Sequence, residues 1–263
     1  MTDTIRFTDG AAYERYMGVW SRLVGEAFLD WLTPPLGQRW LDVGCGNGAF
    51  TELILQRCAP TLVEGIDPSE EQLAFARSRF APSAASFRIG DAQALPFEAG
   101  AFDAAVMPLV IFFVPEPPQG VAEMARVVRP GGEVTAYAWD MPGGGFPYAM
   151  VQAEMRAMGL SPPMTPNPDV SSLDALRGLW TGAGLQEVAT REITVQRTYS
   201  GFEDYWETIC GGPSLGARLK TMTAEEKEAL RERMRSILSA GASGRIRLSA
   251  RANAVKGRVG AGR

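Results

Sequence analysis

The chain has 263 residues, 46% apolar and 21% charged, the composition of an ordinary globular protein. A net charge of −4 and a pI of about 5.1 argue against a basic face for nucleic acid. Cysteines at 45, 58 and 210 fit neither a disulfide framework nor a metal spacing, and no apolar run is long enough to cross a bilayer, so a cytoplasmic chain without membrane insertion is expected.

Residues 11–32 read as a helix whose Tyr13, Tyr16, Met17 and Trp20 share a face with Val24, Phe28 and Leu32. With 1–36 as an N-terminal helical cap, Tyr16 or Trp20 is expected to cover a cofactor cleft. Residues 40–43 form a short apolar strand, and Gly44, Gly46 and Gly48 follow. A helix starts at 49, with Phe50, Leu53, Ile54 and Cys58 on one face. Glycines let a backbone approach a ligand, and a helix start offers free N–H groups. Gly44, Gly46 and Ala49 also satisfy the dinucleotide pattern G-x-G-x-x-G/A, so this loop alone leaves a nicotinamide cofactor open.

A second strand, 61–67, ends in Asp67, 23 positions after Gly44, where a ribose-binding acid belongs. Ser69-Glu70-Glu71-Gln72 predicts a capping box at the next helix. A third strand, 85–90, runs into Asp91-Ala92-Gln93-Ala94-Leu95-Pro96-Phe97. The fourth, 102–107, is continuously apolar, as in a parallel strand covered on both faces. Pro117-Pro118 opens a helix that Arg129-Pro130-Gly131-Gly132 ends, and 133–140 is the fifth strand.

Leu41-Asp42-Val43-Gly44-Cys45-Gly46-Asn47-Gly48 resembles the first motif of class I S-adenosylmethionine (SAM) methyltransferases, with an acid two positions before the first glycine. The Asp91-to-Phe97 string and Arg129-Pro130-Gly131-Gly132 before a strand resemble the same family. Closest in pattern are the small bacterial methyltransferases related to the ubiquinone and menaquinone C-methyltransferases. The resemblance implies a doubly wound, Rossmann-like sheet of seven strands, mostly parallel with one antiparallel strand. It implies SAM as cofactor and a small-molecule methyl acceptor. Asp42 and the Gly44–Gly46 backbone would meet the methionine part of SAM, Asp67 the ribose, and Asp91 with Ala92 the adenine. Cys45 and Pro68 flank these positions in the candidate shell, and Met107 would line the sulfonium side. Relatives often carry His-His after the fourth strand; Phe112-Phe113 stands there, and the chain has no histidine. Asp140, at the end of the fifth strand, is the best-placed candidate base. A SAM-binding protein without transferase activity, a SAM-fold enzyme with other chemistry, and an NAD(P)-dependent oxidoreductase are the alternatives.

Residues 141–170 are expected to form a substrate lid on a mobile hinge, Gly143-Gly144-Gly145, with methionines suited to an adaptable apolar pocket. Helices are expected near 173–180, 202–210 and 224–238, the last opened by a capping box at Thr223, and 187–198 reads as a strand. From 245 onward apolar and polar residues alternate, which predicts a half-exposed antiparallel strand at the sheet edge. No metal site is expected, and the number of chains in the assembly is left open.

Overall fold

The structure is a computed structural model, and it describes residues 14–81, 84–238 and 244–261. The expected cap and its helix begin at residues 1 and 11; residues 1–13, Tyr13 among them, lie outside the described residues.

A π-helical turn, Glu14–Gly18, leads into α1, Val19–Leu32. Trp20, Val24, Phe28 and Leu32 fall on one face at helical spacing, and all are buried. Thr33, with φ 46°, ends the helix, and two prolines prevent its continuation. The chain then alternates strand and helix: β1 (Arg39–Val43), α2 (Ala49–Cys58), β2 (Leu62–Asp67), α3 (Glu70–Arg79), β3 (Ser86–Ile89), β4 (Phe102–Pro108), α4 (Pro117–Val127) and β5 (Val128–Trp139). After β5 come α5 (Ala149–Ala157), α6 (Leu173–Gly182), β6 (Gln186–Tyr199), α7 (Phe202–Cys210), α8 (Leu215–Lys220), α9 (Ala224–Ile237) and β7 (Ile246–Arg258).

All seven strands form one sheet in the order β3-β2-β1-β4-β5-β7-β6. β1 to β5 run parallel, and β7 lies antiparallel to both β5 and β6. β1 pairs β2 on one side and β4 on the other, so the winding reverses there. In open parallel sheets the ligand crevice lies at that reversal, outside the carboxyl ends. No helix among the described residues is long and apolar enough to cross a membrane.

Three expectations change. The final strand is internal: β7 pairs β5 along 252–258 and β6 along most of its length, and β6 takes the edge. Its alternation holds only in the first half, because Ala252, Asn253, Ala254 and Val255 are all buried once both faces are covered. Arg129-Pro130-Gly131-Gly132 lies inside β5, where the pairing jumps from Phe102–Val128 to Ala104–Glu133. Those four residues bulge out, with Gly131 at φ 77°, and Asp103 anchors the bulge by accepting from Arg129 Nε and from the Arg39 backbone N–H. At α3, Ser69 Oγ accepts from the Gln72 N–H at 3.4 Å, but the Ser69 N–H donates to Asp67, so the box is not reciprocal. At α9 the capping box forms in full between Thr223 and Glu226.

Candidate functional site

The turn after β1 is held to β2 by the backbone: the Gly44 and Cys45 N–H groups both donate to the Ile66 carbonyl, at 2.7 and 3.0 Å. Gly44, at φ 73°, needs the left-handed region, and a Cβ there would lie 2.5 Å from Val110 Cγ2. Val110 follows β4, so the loop and the end of β4 pack with nothing between them.

Asp42 is fully buried beneath this loop. Its Oδ2 accepts from the Thr51 hydroxyl at 2.7 Å, and its Oδ1 has no partner. Burial raises the Asp42 carboxyl to about 7; the Thr51 hydrogen bond works against this and the nearby Asp67 charge adds to it. Asn47 is also buried. Its Oδ1 accepts from the Ala49 N–H at 3.2 Å, while its Nδ2 has no partner. The loop thus leaves one acceptor and one donor unsatisfied, a costly arrangement unless a ligand supplies both complements. The acceptor suits an ammonium donor and the donor suits a carboxylate oxygen.

Asp67 closes β2. Its Oδ2 accepts from the Gly46 N–H at 3.0 Å and its Oδ1 from the Ser69 N–H at 2.9 Å. Burial raises its carboxyl, and the two backbone bonds oppose that rise. Each oxygen keeps a lone pair for a hydroxyl donor. Pro68 follows, exposed on the rim. Asp91, past the end of β3, is exposed; its Oδ1 accepts from the Gln93 N–H at 2.9 Å. The neighbouring Ala92 N–H has no partner among the described residues. Asp42, Asp67 and Asp91 therefore stand at the carboxyl ends of three adjacent parallel strands.

Four sequence candidates fall elsewhere. Met107 is fully buried, and its Cε lies 3.8 Å from where a Gly120 Cβ would be, so it packs on the α4 face of β4 and not in the cleft. The Cys45 thiol also turns inward, 2.8 Å from a would-be Gly65 Cβ, and burial pushes its pKa well up; only its backbone is available to the loop. Trp20 is a core residue whose Nε1 donates to the Tyr199 hydroxyl at 3.3 Å. Asp140 is no free base: Oδ2 accepts from Arg251 Nε and Nη2, and Oδ1 from the Gly143 N–H. Those bonds also clamp the glycine hinge, where Gly145 exchanges backbone bonds with Arg251 and Asp140.

Tyr16 lies on a second feature, an aromatic pocket of about 70 Å³ beside the end of β4. Tyr16, Phe112, Phe113, Trp139 and Phe146 dominate its wall, and Leu109 also lines it. Leu109 takes φ 60°, a strained value for a branched side chain, and directly precedes the Val110 that packs on Gly44. Two consecutive residues thus join the pocket to the glycine loop. The Tyr16 ring stacks on Tyr148 at 4.4 Å, and its carbonyl accepts from the Tyr148 hydroxyl. No charged residue lines the pocket among the described residues. Burial raises the hydroxyls of Tyr148, Tyr199 and Tyr205 above the ordinary value, so none of these three offers a base nearby. Trp139, Gln152, Thr165 and Ser214 also line the pocket and carried no periodic signal. Only the position of Trp139, last in β5, could have marked it.

Residues 41–136 match a family described as a methyltransferase domain. Over that stretch, from β1 into β5, the chain is similar to methyltransferase domains. Over 123 residues it is 38% identical to the biotin biosynthesis bifunctional protein BioHC of Cellvibrio japonicus, covering 46% of this chain and 24% of that protein. Over 148 residues it is 32% identical to the ubiquinone/menaquinone biosynthesis C-methyltransferase UbiE of Dinoroseobacter shibae, covering 54% and 58%. The chain therefore spans between a quarter and three fifths of these relatives. Among solved structures, phosphoethanolamine N-methyltransferase 2 of Haemonchus contortus, in complex with S-adenosylhomocysteine, superposes with a TM-score of 0.60 at 18% identity. That match covers 95% of this chain and 57% of that one, and it shows the shared fold. Similarity in sequence is thus concentrated in the glycine-loop half. The aromatic pocket draws on residues outside the matched span at both ends.

Proposed function

We propose that the protein is a SAM-dependent methyltransferase acting on a small molecule. The observation that carries this reading is the unsatisfied pair under the glycine loop, Asp42 Oδ1 and Asn47 Nδ2, in line with Asp67 and Asp91. The pair suits the amino-acid end of SAM, Asp67 suits a ribose diol, and Asp91 with the Ala92 N–H suits an adenine edge. The methyltransferase-domain match over 41–136 supports the same ligand. When bound, SAM supplies an electrophilic methyl group. The chain's part is to hold the acceptor in line with it and exclude water. Such positioning can supply ~7–11 kcal/mol of a barrier. With Asp140 paired and no histidine, the acceptor attacks with its own lone pair or releases its proton to solvent. Residues 141–170, with the helical turn at Glu14–Gly18, would cover the acceptor.

Calorimetric titration with SAM, S-adenosylhomocysteine and NADH tests the reading. Heat with the first two and none with NADH is expected. Heat with NADH alone would replace this function with the oxidoreductase one.

A further inference from the structure

We propose that the aromatic pocket selects an uncharged acceptor by a single oxygen, held between the Trp139 indole N–H and the Thr165 hydroxyl. This inference rests on the methyltransferase reading above and identifies the acceptor class for the same site.

Trp139 and Thr165 both line the pocket, and both carry a polar atom without a partner: Trp139 Nε1 and Thr165 Oγ1. Trp139 is only 2% exposed. A buried donor left unmade costs free energy that a bound acceptor oxygen returns. An indole nitrogen only donates, whereas a hydroxyl donates and accepts. Together they fit one oxygen, as in a phenol, an alcohol or a carbonyl. They do not fit a second donor-only group such as an ammonium.

Two other polar side chains in the wall already make hydrogen bonds. Gln152 Nε2 donates to the Pro163 carbonyl at 2.8 Å, and the Ser214 hydroxyl bonds the Tyr16 hydroxyl at 3.2 Å. With no charged residue in the wall, an ionised acceptor would lose its hydration without a counter-charge, which is costly in an apolar site. Charge is therefore excluded and a single oxygen is recognised.

The pocket is too small for a large acceptor. A cavity of roughly 150 Å³ takes benzene; this one is about 70 Å³. It shares Met141, Phe146 and Gln152 with an open groove of about 560 Å³, where Met150 and Met164 are exposed. The reacting end enters the pocket, and the remainder lies along the groove.

The test uses the full chain, labelled with ¹⁵N and saturated with S-adenosylhomocysteine. The six tryptophans give resolvable indole signals, and Trp139→Phe identifies one of them. Phenol, toluene and benzoate are titrated as probes of nearly equal ring size; each exceeds the pocket, so its substituent enters and its ring lies toward the groove. Phenol is expected to shift the Trp139 indole signal and to bind roughly 3- to 10-fold more tightly than toluene. Benzoate is expected to bind more weakly than either. Thr165→Val should reduce the preference for phenol without altering S-adenosylhomocysteine affinity, which also reports that the variant is folded. Equal binding of phenol and toluene, tighter binding of benzoate, or a Trp139 signal unmoved by tens of millimolar phenol overturns the proposal. Failure to bind S-adenosylhomocysteine is a separate result and overturns the methyltransferase reading instead.

Discussion

The Asp140 carboxylate and the Arg251 guanidinium form a two-pronged ion pair, with Nε and Nη2 of the arginine both donating to Oδ2. Arg251 Nη2 also donates to the Gly143 carbonyl at 3.1 Å, so the pair ties the turn after β5 to β7. Its cation side is partly exposed and its anion side nearly buried, at 39% and 9%. Arg251→Ala should therefore cost about 1–3 kcal/mol in urea unfolding, between a surface pair and a buried one. Amide exchange at Gly143 and Gly145 should accelerate in the same variant, and an unchanged rate there would show that the turn holds without the pair.

Because Asp140 already has its cation, turnover in Asp140→Asn should keep the midpoint of its pH profile. A midpoint displaced in that variant would restore Asp140 as the proton acceptor.

Asp42 makes the ligand-free protein less stable as pH rises. The unfolded chain releases this proton near pH 4, whereas the folded carboxyl holds it to about 7. Between those values the unfolded state binds fewer protons, so stability falls by on the order of 4 kcal/mol and then levels off. Asp42→Asn should flatten that fall. Chemical unfolding at about pH 5 and about pH 8 measures it; equal slopes in variant and parent would mean that Asp42 is ionised in the fold.

Affinity for S-adenosylhomocysteine should move the other way. A carboxylate pairs with the ligand's ammonium better than a carboxylic acid does, so binding should tighten as pH rises to about 7, with release of a proton, and level off above it. Calorimetry in two buffers of different ionisation heat reads that release directly. Binding heats that agree between the buffers would count against Asp42 as the ammonium's partner.

Gly44→Ala introduces two costs: a Cβ 2.5 Å from Val110 Cγ2, and a residue with a side chain at φ 73°. The second alone is about 1–2 kcal/mol. Val110→Ala should recover the steric share in the double variant and leave the backbone share. A thermal-unfolding cycle separates them, and full recovery would show that the backbone cost is absent.

Asp67→Ala should weaken S-adenosylhomocysteine roughly 10- to 150-fold, through lost charged hydrogen bonds. Part of that loss is indirect, because Asp67 also accepts from the Gly46 N–H and so shapes the loop. Asp67→Asn keeps one acceptor oxygen and should fall between the two; an affinity equal to that of the parent would remove Asp67 from the site.

What the sequence determined by itself is local. Strand, glycine turn and helix follow one another within 39–58, so apolar spacing, left-handed glycines and a terminal acid were all legible without neighbours. The same holds for Asp67 and Asp91, whose places depend on where a strand ends. Tertiary structure decided whatever depends on partners far along the chain. Alternation in β7 cannot reveal that strands pair on both its sides. A continuously apolar β4 cannot reveal which face Met107 takes, since both faces are covered. Asp140 looked like a free carboxylate because its cation lies 111 residues away. The aromatic pocket joins Tyr16 to Ser214 across 198 residues, and a wall gathered from segments that distant leaves no periodic trace in any one of them.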